Sequence, residues 1–491
     1  MSKSLVDAIR RGDVSGVRQL LSQGADPNWR LEEASDHGAF FEDVTALMAA
    51  VAAPRSNVEI VQLLLEHGGD LVALSAGEVG ATWYASGGGT GYPMTQSERD
   101  ALEPKHTFRN WGGGNVEILK LLLDSGGDPN ESASNGRSCV FEASAIGDPQ
   151  RLKLLIERGA TVGPVSSESS PSKFVADSLT KMFGHDLDPE FLSYMSGGAQ
   201  DMVPLFAASE SGNLDCVKLI VEAGFPADFE MNGTNALSEA GSVEVVEYLR
   251  LKGVSSKQDY FGFDRLDRAI DDNDLSMIRY LAEKLDQERI QEKLIVASGL
   301  YMNPEAVRIL LEMGAKANEV SESYGSPLHS ACWQGDGNNG RPTEVVAETI
   351  NVLIDAGADP NLLANGSRPL HEAVFGDWGS PTAVRVLLSR GAQVNLTDEH
   401  GRTPLMLAAE HREAKCVRLL LDSGADRNLK DRSRKSALDY AKADLKFWSK
   451  RRSKVFQWGL RKLTEALSID NDEMTKSAVA EAQEIVNLLQ S

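Results

Sequence analysis

The sequence predicts a mainly α-helical solenoid of helix-turn-helix units, joined by short β-hairpin loops and interrupted by helical or loop insertions. Three observations carry this: an apolar phrase that closes on glycine, a regular spacing between its copies, and a proline-led helix start between them. The phrase, Val-x-x-Leu-Leu-Leu, two residues, then Gly-Ala-Asp-Pro-Asn or a variant, recurs ten times. Its copies are Val17 to Asn28, Val61 to Asp70, Ile118 to Asn130, Leu152 to Ala160, Val217 to Asp228, Val245 to Val254, Val307 to Asn318, Ile350 to Asn361, Val384 to Asn395 and Val417 to Asn428. From Gly126 to Gly159 and from Gly391 to Gly424 the step is 33 residues, and from Gly357 to Gly391 it is 34. A fixed period of this size marks a repeat array in which each unit buries its faces against its neighbours.

Each element has a local reason. The first helix of a unit starts at Ser326-Pro327-Leu328-His329, Arg368-Pro369-Leu370-His371, Thr403-Pro404-Leu405-Met406, Val203-Pro204-Leu205-Phe206 or Thr45-Ala46-Leu47-Met48. A hydroxyl there caps the helix, proline fits the first turn where its missing N–H costs nothing, and leucine opens the buried stripe. Small residues such as Ala408 and Ala409 let inner and outer helices approach. The glycine after the second helix supplies a left-handed cap that turns the chain into the loop.

With these motifs the chain resembles the ankyrin repeat family over about four-fifths of its length, most specifically at residues 320 to 430. Residues 255 to 290 match less well: Leu266 to Ile270 and Met277 to Leu285 keep the apolar spacing but lack the glycine. The resemblance implies about twelve units, the first of which reads as a capping repeat. Residues 1–160 are expected to hold N-terminal repeats with insertions at 29–44 and 87–113, residues 161–202 an inserted segment, and residues 203–435 central and C-terminal repeats with a smaller insertion at about 336–347. Residues 436–491 read as a final capping repeat split by a basic amphipathic insertion at about 444–478.

Length and composition agree with an array. The 491 residues are 42% apolar and 25% charged, which excludes disordered and collagen-like chains. Net charge is −22. Between Lys430 and Lys462 stand twelve Lys or Arg against three Asp, +9, so the remaining residues carry −31. Such acidity opposes wholesale nucleic-acid binding and favours a cationic partner. No apolar run suits a signal or a membrane span, so a cytoplasmic chain without a transmembrane segment is expected. Cys139, Cys216, Cys332 and Cys416 lie far apart inside apolar patterns and read as buried free thiols.

No catalytic, cofactor or metal site is expected. Ser86-Gly87-Gly88-Gly89-Thr90-Gly91 lacks the Gly-Lys-Ser/Thr of a phosphate loop and reads as insertion. Eight histidines never take metal spacing with cysteine; the resemblance makes His329 and His371 bridges between neighbouring hairpins. Asp470-x-Asp472 lacks the glycine and terminal glutamate of a calcium loop.

The resemblance expects function on a concave surface of hairpin tips and inner helices. Candidate partner-binding residues there are Ser330, Trp333, Gln334, Glu372, Phe375, Leu407, Glu410 and His411, with Glu210 and Ser211 upstream. Trp333 and Phe375 are the sharpest, because exposed aromatics anchor interfaces; the alternative tucks each under its neighbouring loop. Trp29, Trp83 and Trp111, with Tyr84 and Tyr92, form a second aromatic supply that either staples the insertions or meets a partner. The expectation is a non-enzymatic scaffold for a protein with a basic surface, with an inhibitor or immunity protein as a specialised form. The alternative is an adaptor docking membrane or nucleic acid through the basic helix at 446–467, where Trp448, Phe456, Leu460, Leu463 and Leu467 share a face. A simpler reading packs that face on the last repeat.

Overall fold

The computed structural model describes residues 2–31, 43–52, 57–75, 78–87, 116–133, 136–163, 203–231, 234–255, 264–333, 342–375, 379–451 and 471–490. Twelve repeat units occupy them, eleven of them helix pairs, in two compact parts, Met1–Arg265 and Leu266–Ser491. In the first part the inner helices Ser2–Arg11, Ala46–Ala52, Ala81–Ser86, Cys139–Ala145 and Pro204–Glu210 stack in order. Their outer partners Val14–Ser22, Val58–Glu66, Val116–Asp124, Pro149–Glu157, Leu214–Glu222 and Val243–Leu251 form a second layer. The last of these is preceded by turns at 236–239 rather than by an inner helix. In the second part the inner layer runs through Gln287–Ser298, Pro327–Trp333, Pro369–Glu372, Pro404–Glu410 and Ala437–Arg451. The outer layer runs through Leu275–Ala282, Pro304–Glu312, Thr343–Asp355, Pro381–Ser389, Ala414–Asp422 and Asn471–Gln490. Each part is an α-solenoid.

Capping explains the helix starts. Ser138 Oγ accepts the Phe141 N–H, and Asp13, Asn57, Asp148, Asn213, Asp274 and Asn303 accept N–H groups of their outer helices. At the C-terminus Gly424 takes φ 86°, and the N–H of Ala425 returns to the Leu420 carbonyl at 2.9 Å. The hairpins hold few ladder bonds. Arg30–Leu31 pairs antiparallel with Val44–Thr45, Glu230–Met231 with Thr234–Asn235, and single bridges join Ser132 to Ser138, Ser321 to Gly325 and Ala364 to Ser367.

Where the repeated phrase closes on asparagine, that side chain can stitch one unit to the next. Asn361 donates to the Gly391 carbonyl at 3.0 Å and accepts the Gln393 N–H at 2.8 Å. Asn28 does the same with Gly68 and Asp70, Asn130 with Gly159 and Thr161, Asn318 with Gly357 and Asp359, and Asn395 with Gly424 and Asp426. Val72, Gly163 and Asp228 stand at the equivalent position after Gly68, Gly159 and Gly224. Val72 and Gly163 cannot make the rung with a side chain. Asn361→Ala is expected to destabilise the second part by ~1–3 kcal/mol, since both backbone groups lose their partner. Asn361→Asp, which keeps the acceptor, should cost less; equal urea midpoints for wild type and the alanine variant would dismiss the ladder.

Two expected insertions change on folding. The outer helix Thr343–Asp355 begins inside the 336–347 segment, and helices run to Arg451 and from Asn471 within the 444–478 segment. In the last unit no glycine stops the inner helix, and Asp444 and Trp448 hold its extension against Arg412.

Candidate functional site

The candidate site is built on inner helices of the second part. In Pro327–Trp333 the apolar Leu328, Ala331 and Cys332 are buried, which sends the last residue, Trp333, outward with 53% of its surface exposed. Phe375 follows Pro369–Glu372 at the same position of the next unit and is 44% exposed. Its ring meets His411 edge-on at 4.9 Å. Arg412, next in the chain, lies 4.9 Å over Trp448 and pairs with Asp444 at 3.2 Å. Aromatic and cationic contacts therefore link the ends of the last three inner helices.

Carboxylates lie on the same repeats, Glu372 three residues before Phe375 and Glu410 next to His411 in the chain. Glu322 and Glu399 are exposed on hairpin tips. Glu372 is half-buried, and burial raises its carboxyl above the usual range against a Ser367 hydrogen bond that lowers it. Glu410 is half-buried and stands 3.6 Å from Arg402, which also holds Asp398 at 2.8 Å.

Three of the residues expected at the surface are instead buried. Leu407, only 2% exposed, and Ser330 follow the signature Met or His, where the sequence pattern expects an outward residue. Adjacent inner helices approach too closely for that: Ser330 Oγ donates to the Ile295 carbonyl at 3.2 Å, and a Cβ on Gly299 would lie 2.0 Å from that oxygen. Trp83, 3% exposed, is a helix residue whose indole donates to the Arg137 carbonyl at 2.8 Å, so it is a staple rather than a partner contact. Tyr84 is fully buried beside it. Trp29 is half-buried, Glu210 exposed and Ser211 half-buried. Gln334, Trp111, Tyr92 and most of the 446–467 segment lie outside the described residues.

His329 receives or gives a hydrogen bond at Ser326 Oγ, 2.7 Å, and reaches the Ser367 carbonyl at 3.2 Å; His371 reaches the Arg402 carbonyl at 2.9 Å. Both tie one hairpin to the next. At the third such position Met406 replaces the imidazole, and the Thr403 N–H meets its sulfur at 3.4 Å. All four cysteines are free and buried, and burial raises the thiols of Cys139, Cys216 and Cys332. Among the described residues no cluster of His, Cys, Asp or Glu could hold a metal, and no helix is long and apolar enough to cross a membrane.

A polar cluster in the first part escaped the sequence reading. The helix Ala81–Ser86 starts at Gly80, which has no side chain to cap it; Glu131 from the next unit does so, accepting the Trp83 N–H at 2.9 Å. Glu142 is buried against Arg137, 2.7 Å away. Burial pushes both carboxyls up to about 7. The only local signal was a glutamate at the buried third turn position after Cys139.

These groups give the two parts opposite pH responses. Between the ordinary glutamate value of 4.5 and 7, the folded first part binds protons that the unfolded chain releases, so its stability falls as pH rises through that window and is level above it. In the second part burial lowers His371 to about 4. The folded part refuses protons that the unfolded chain takes up below 6.5, so its stability falls as pH drops from 6.5 to 4. Glu131→Gln with Glu142→Gln should flatten the first dependence, an effect on the order of 1–3 kcal/mol between pH 5 and 8. Urea unfolding across pH checks it; an unchanged slope would refute it.

Repeat geometry, cap chemistry and hairpin bridges coincide with matches to known family models. Ankyrin repeats in three copies match residues 338–431, ankyrin repeats in many copies match 106–156, and a single ankyrin repeat matches 42–75. The chain is an ankyrin-repeat protein. Similar ankyrin relatives include the ankyrin repeat protein nuc-2 of Neurospora crassa, 28% identical over 260 residues, 50% of this chain and 23% of that protein. The B-cell lymphoma 3 protein of Homo sapiens is 36% identical over 112 residues, 23% of each chain. The E3 ubiquitin-protein ligase KEG of Arabidopsis thaliana is 23% identical over 343 residues, 68% of this chain and 17% of that protein. The chain thus spans less than a quarter of each of these relatives. Ankyrin repeats indicate a scaffold for protein–protein interaction.

Proposed function

We propose that the chain is a non-enzymatic scaffold that seats a protein partner with a basic surface on the inner-helix and hairpin face around Trp333 and Phe375. The observation that carries this reading is the exposure of two large aromatics at the same position of adjacent repeats, where burial was available to neighbouring apolar residues and was not used. Glu372 and Glu410 lie on the inner segments of these repeats, Glu322 and Glu399 on the hairpins that lead into inner helices, and cations stack favourably on aromatic faces. An inhibitor of a basic enzyme is the specialised form of the same reading and predicts loss of that enzyme's activity on mixing.

Salt tests the electrostatic part. Between about 50 and 500 mM ionic strength the Debye length shrinks from roughly 14 to 4 Å, so the partner recovered by affinity capture at low salt should dissociate faster and associate more slowly at high salt. A partner whose affinity is the same at both ends would exclude recognition by charge.

A further inference from the structure

We propose that the last repeat carries a second binding surface of opposite sign, which takes a short acidic peptide segment of a partner protein. It comprises Lys430, Arg432 and Arg434 of the final hairpin and Lys442 and Lys446 of the helix Ala437–Arg451, with Phe447 as its apolar contact.

Residues 430–451 hold eight Lys or Arg and three Asp, a local +5 in a chain of −22. The three carboxylates are all occupied from within. Asp431 accepts the Tyr440 hydroxyl at 2.7 Å and the Lys435 N–H at 2.7 Å, Asp439 accepts from Ser436 N–H and Oγ, and Asp444 pairs with Arg412. Lys430, Arg432, Arg434, Lys442 and Lys446 are exposed and form no ion pair within 4 Å among the described residues, although Lys430 and Lys442 are near enough to Asp439 to lower its carboxyl. Hairpin and helix are one rigid piece, because the Tyr440 hydroxyl reaches back to Asp431 and the Lys435 ammonium lies 5.2 Å from the Tyr440 ring. Lys442 and Lys446, four residues apart, share a helix face, while Ala437 and Ala441 are buried. Phe447 beside them is 51% exposed and packs edge-on to Trp448 at 5.6 Å.

Charge selects the size of the ligand. Outside residues 430–451 the chain carries −27, so a bilayer or a long nucleic acid brings extended negative charge against an acidic body. A peptide of a few residues keeps its carboxylates within a Debye length, about 8 Å at physiological salt, of the five cations. Phe447 offers an anchor that such a peptide meets with an apolar side chain. This surface shares no residue with the one around Trp333 and Phe375.

The test uses the full chain and fluorescence polarisation with three probes at about 50 mM salt: a labelled peptide of glutamates around one phenylalanine, an oligouridylate, and vesicles containing phosphatidylserine. Saturable peptide binding is expected, weakened at least tenfold by Arg432→Glu with Arg434→Glu, and equally by Lys442→Glu with Lys446→Glu, at unchanged helical circular dichroism. Trp333→Ala should leave it intact. Absence of saturable peptide binding, indifference to both charge reversals, or tighter binding of oligouridylate or vesicles than of the peptide would each overturn the proposal.

Discussion

Lys293→Ala is expected to destabilise the second part by ~3–5 kcal/mol, a large share of the ~5–15 kcal/mol that holds a domain folded. The Lys293 ammonium lies 2.6 Å from Asp267 Oδ2, and both side chains are buried. Removing the cation leaves a carboxylate that is only 1% exposed, where its desolvation is no longer offset. Asp267 holds the third position of the short helix Arg265–Asp271, the position His329 and His371 hold in theirs, so the pair ties two inner segments where the signature histidine is missing. Gln291 assists one turn away, bonding both the N–H and the carbonyl of Lys316. Exchanging both partners, Asp267→Leu with Lys293→Met, should recover most of the loss, because no unpaired charge remains. A urea midpoint for Lys293→Ala within about 1 kcal/mol of wild type would show that the pair is dispensable.

Trp333→Ala and Phe375→Ala are expected to act on the partner more than on the fold. As interface anchors each should weaken binding by ~2–4 kcal/mol, about 30- to 1000-fold, while stability falls by only ~1 kcal/mol because about half of each side chain is exposed. The contrast lies with residues of similar appearance in the sequence. Leu407→Ala removes a buried side chain and should cost ~2–5 kcal/mol of stability, and Trp83→Ala ~3–5 kcal/mol. If Trp333→Ala lowers stability by well over ~1 kcal/mol and leaves the captured partner at wild-type affinity, the aromatic pair is a structural feature and the proposed face is wrong.

Much of the architecture is local and therefore readable in the chain. Leucines at three- and four-residue spacing, a capping side chain before each helix and a glycine after it need no distant partner, and they recovered the outer helices and the proline-led inner ones. For Trp333 and Phe375 the chain left two placements open, outward or tucked under the neighbouring loop, and the folded structure leaves them 53% and 44% exposed. The boundaries of the final helix pair were not: whether the inner helix continues past Lys442 depends on Arg412, thirty residues away, receiving Asp444 and Trp448.

The sequence by itself determined the repeat, its period, the caps and the acidic balance, all consequences of spacing along one chain. Only the tertiary structure decided which polar groups meet across repeats. Glu131 caps a helix that starts at Gly80, Lys293 pairs with Asp267, Asn361 finds the backbone of the next unit, and Ser330 and Leu407 turn inward. The physical reason is that burial and pairing depend on the distance between neighbouring helices, which the packing of both units sets together.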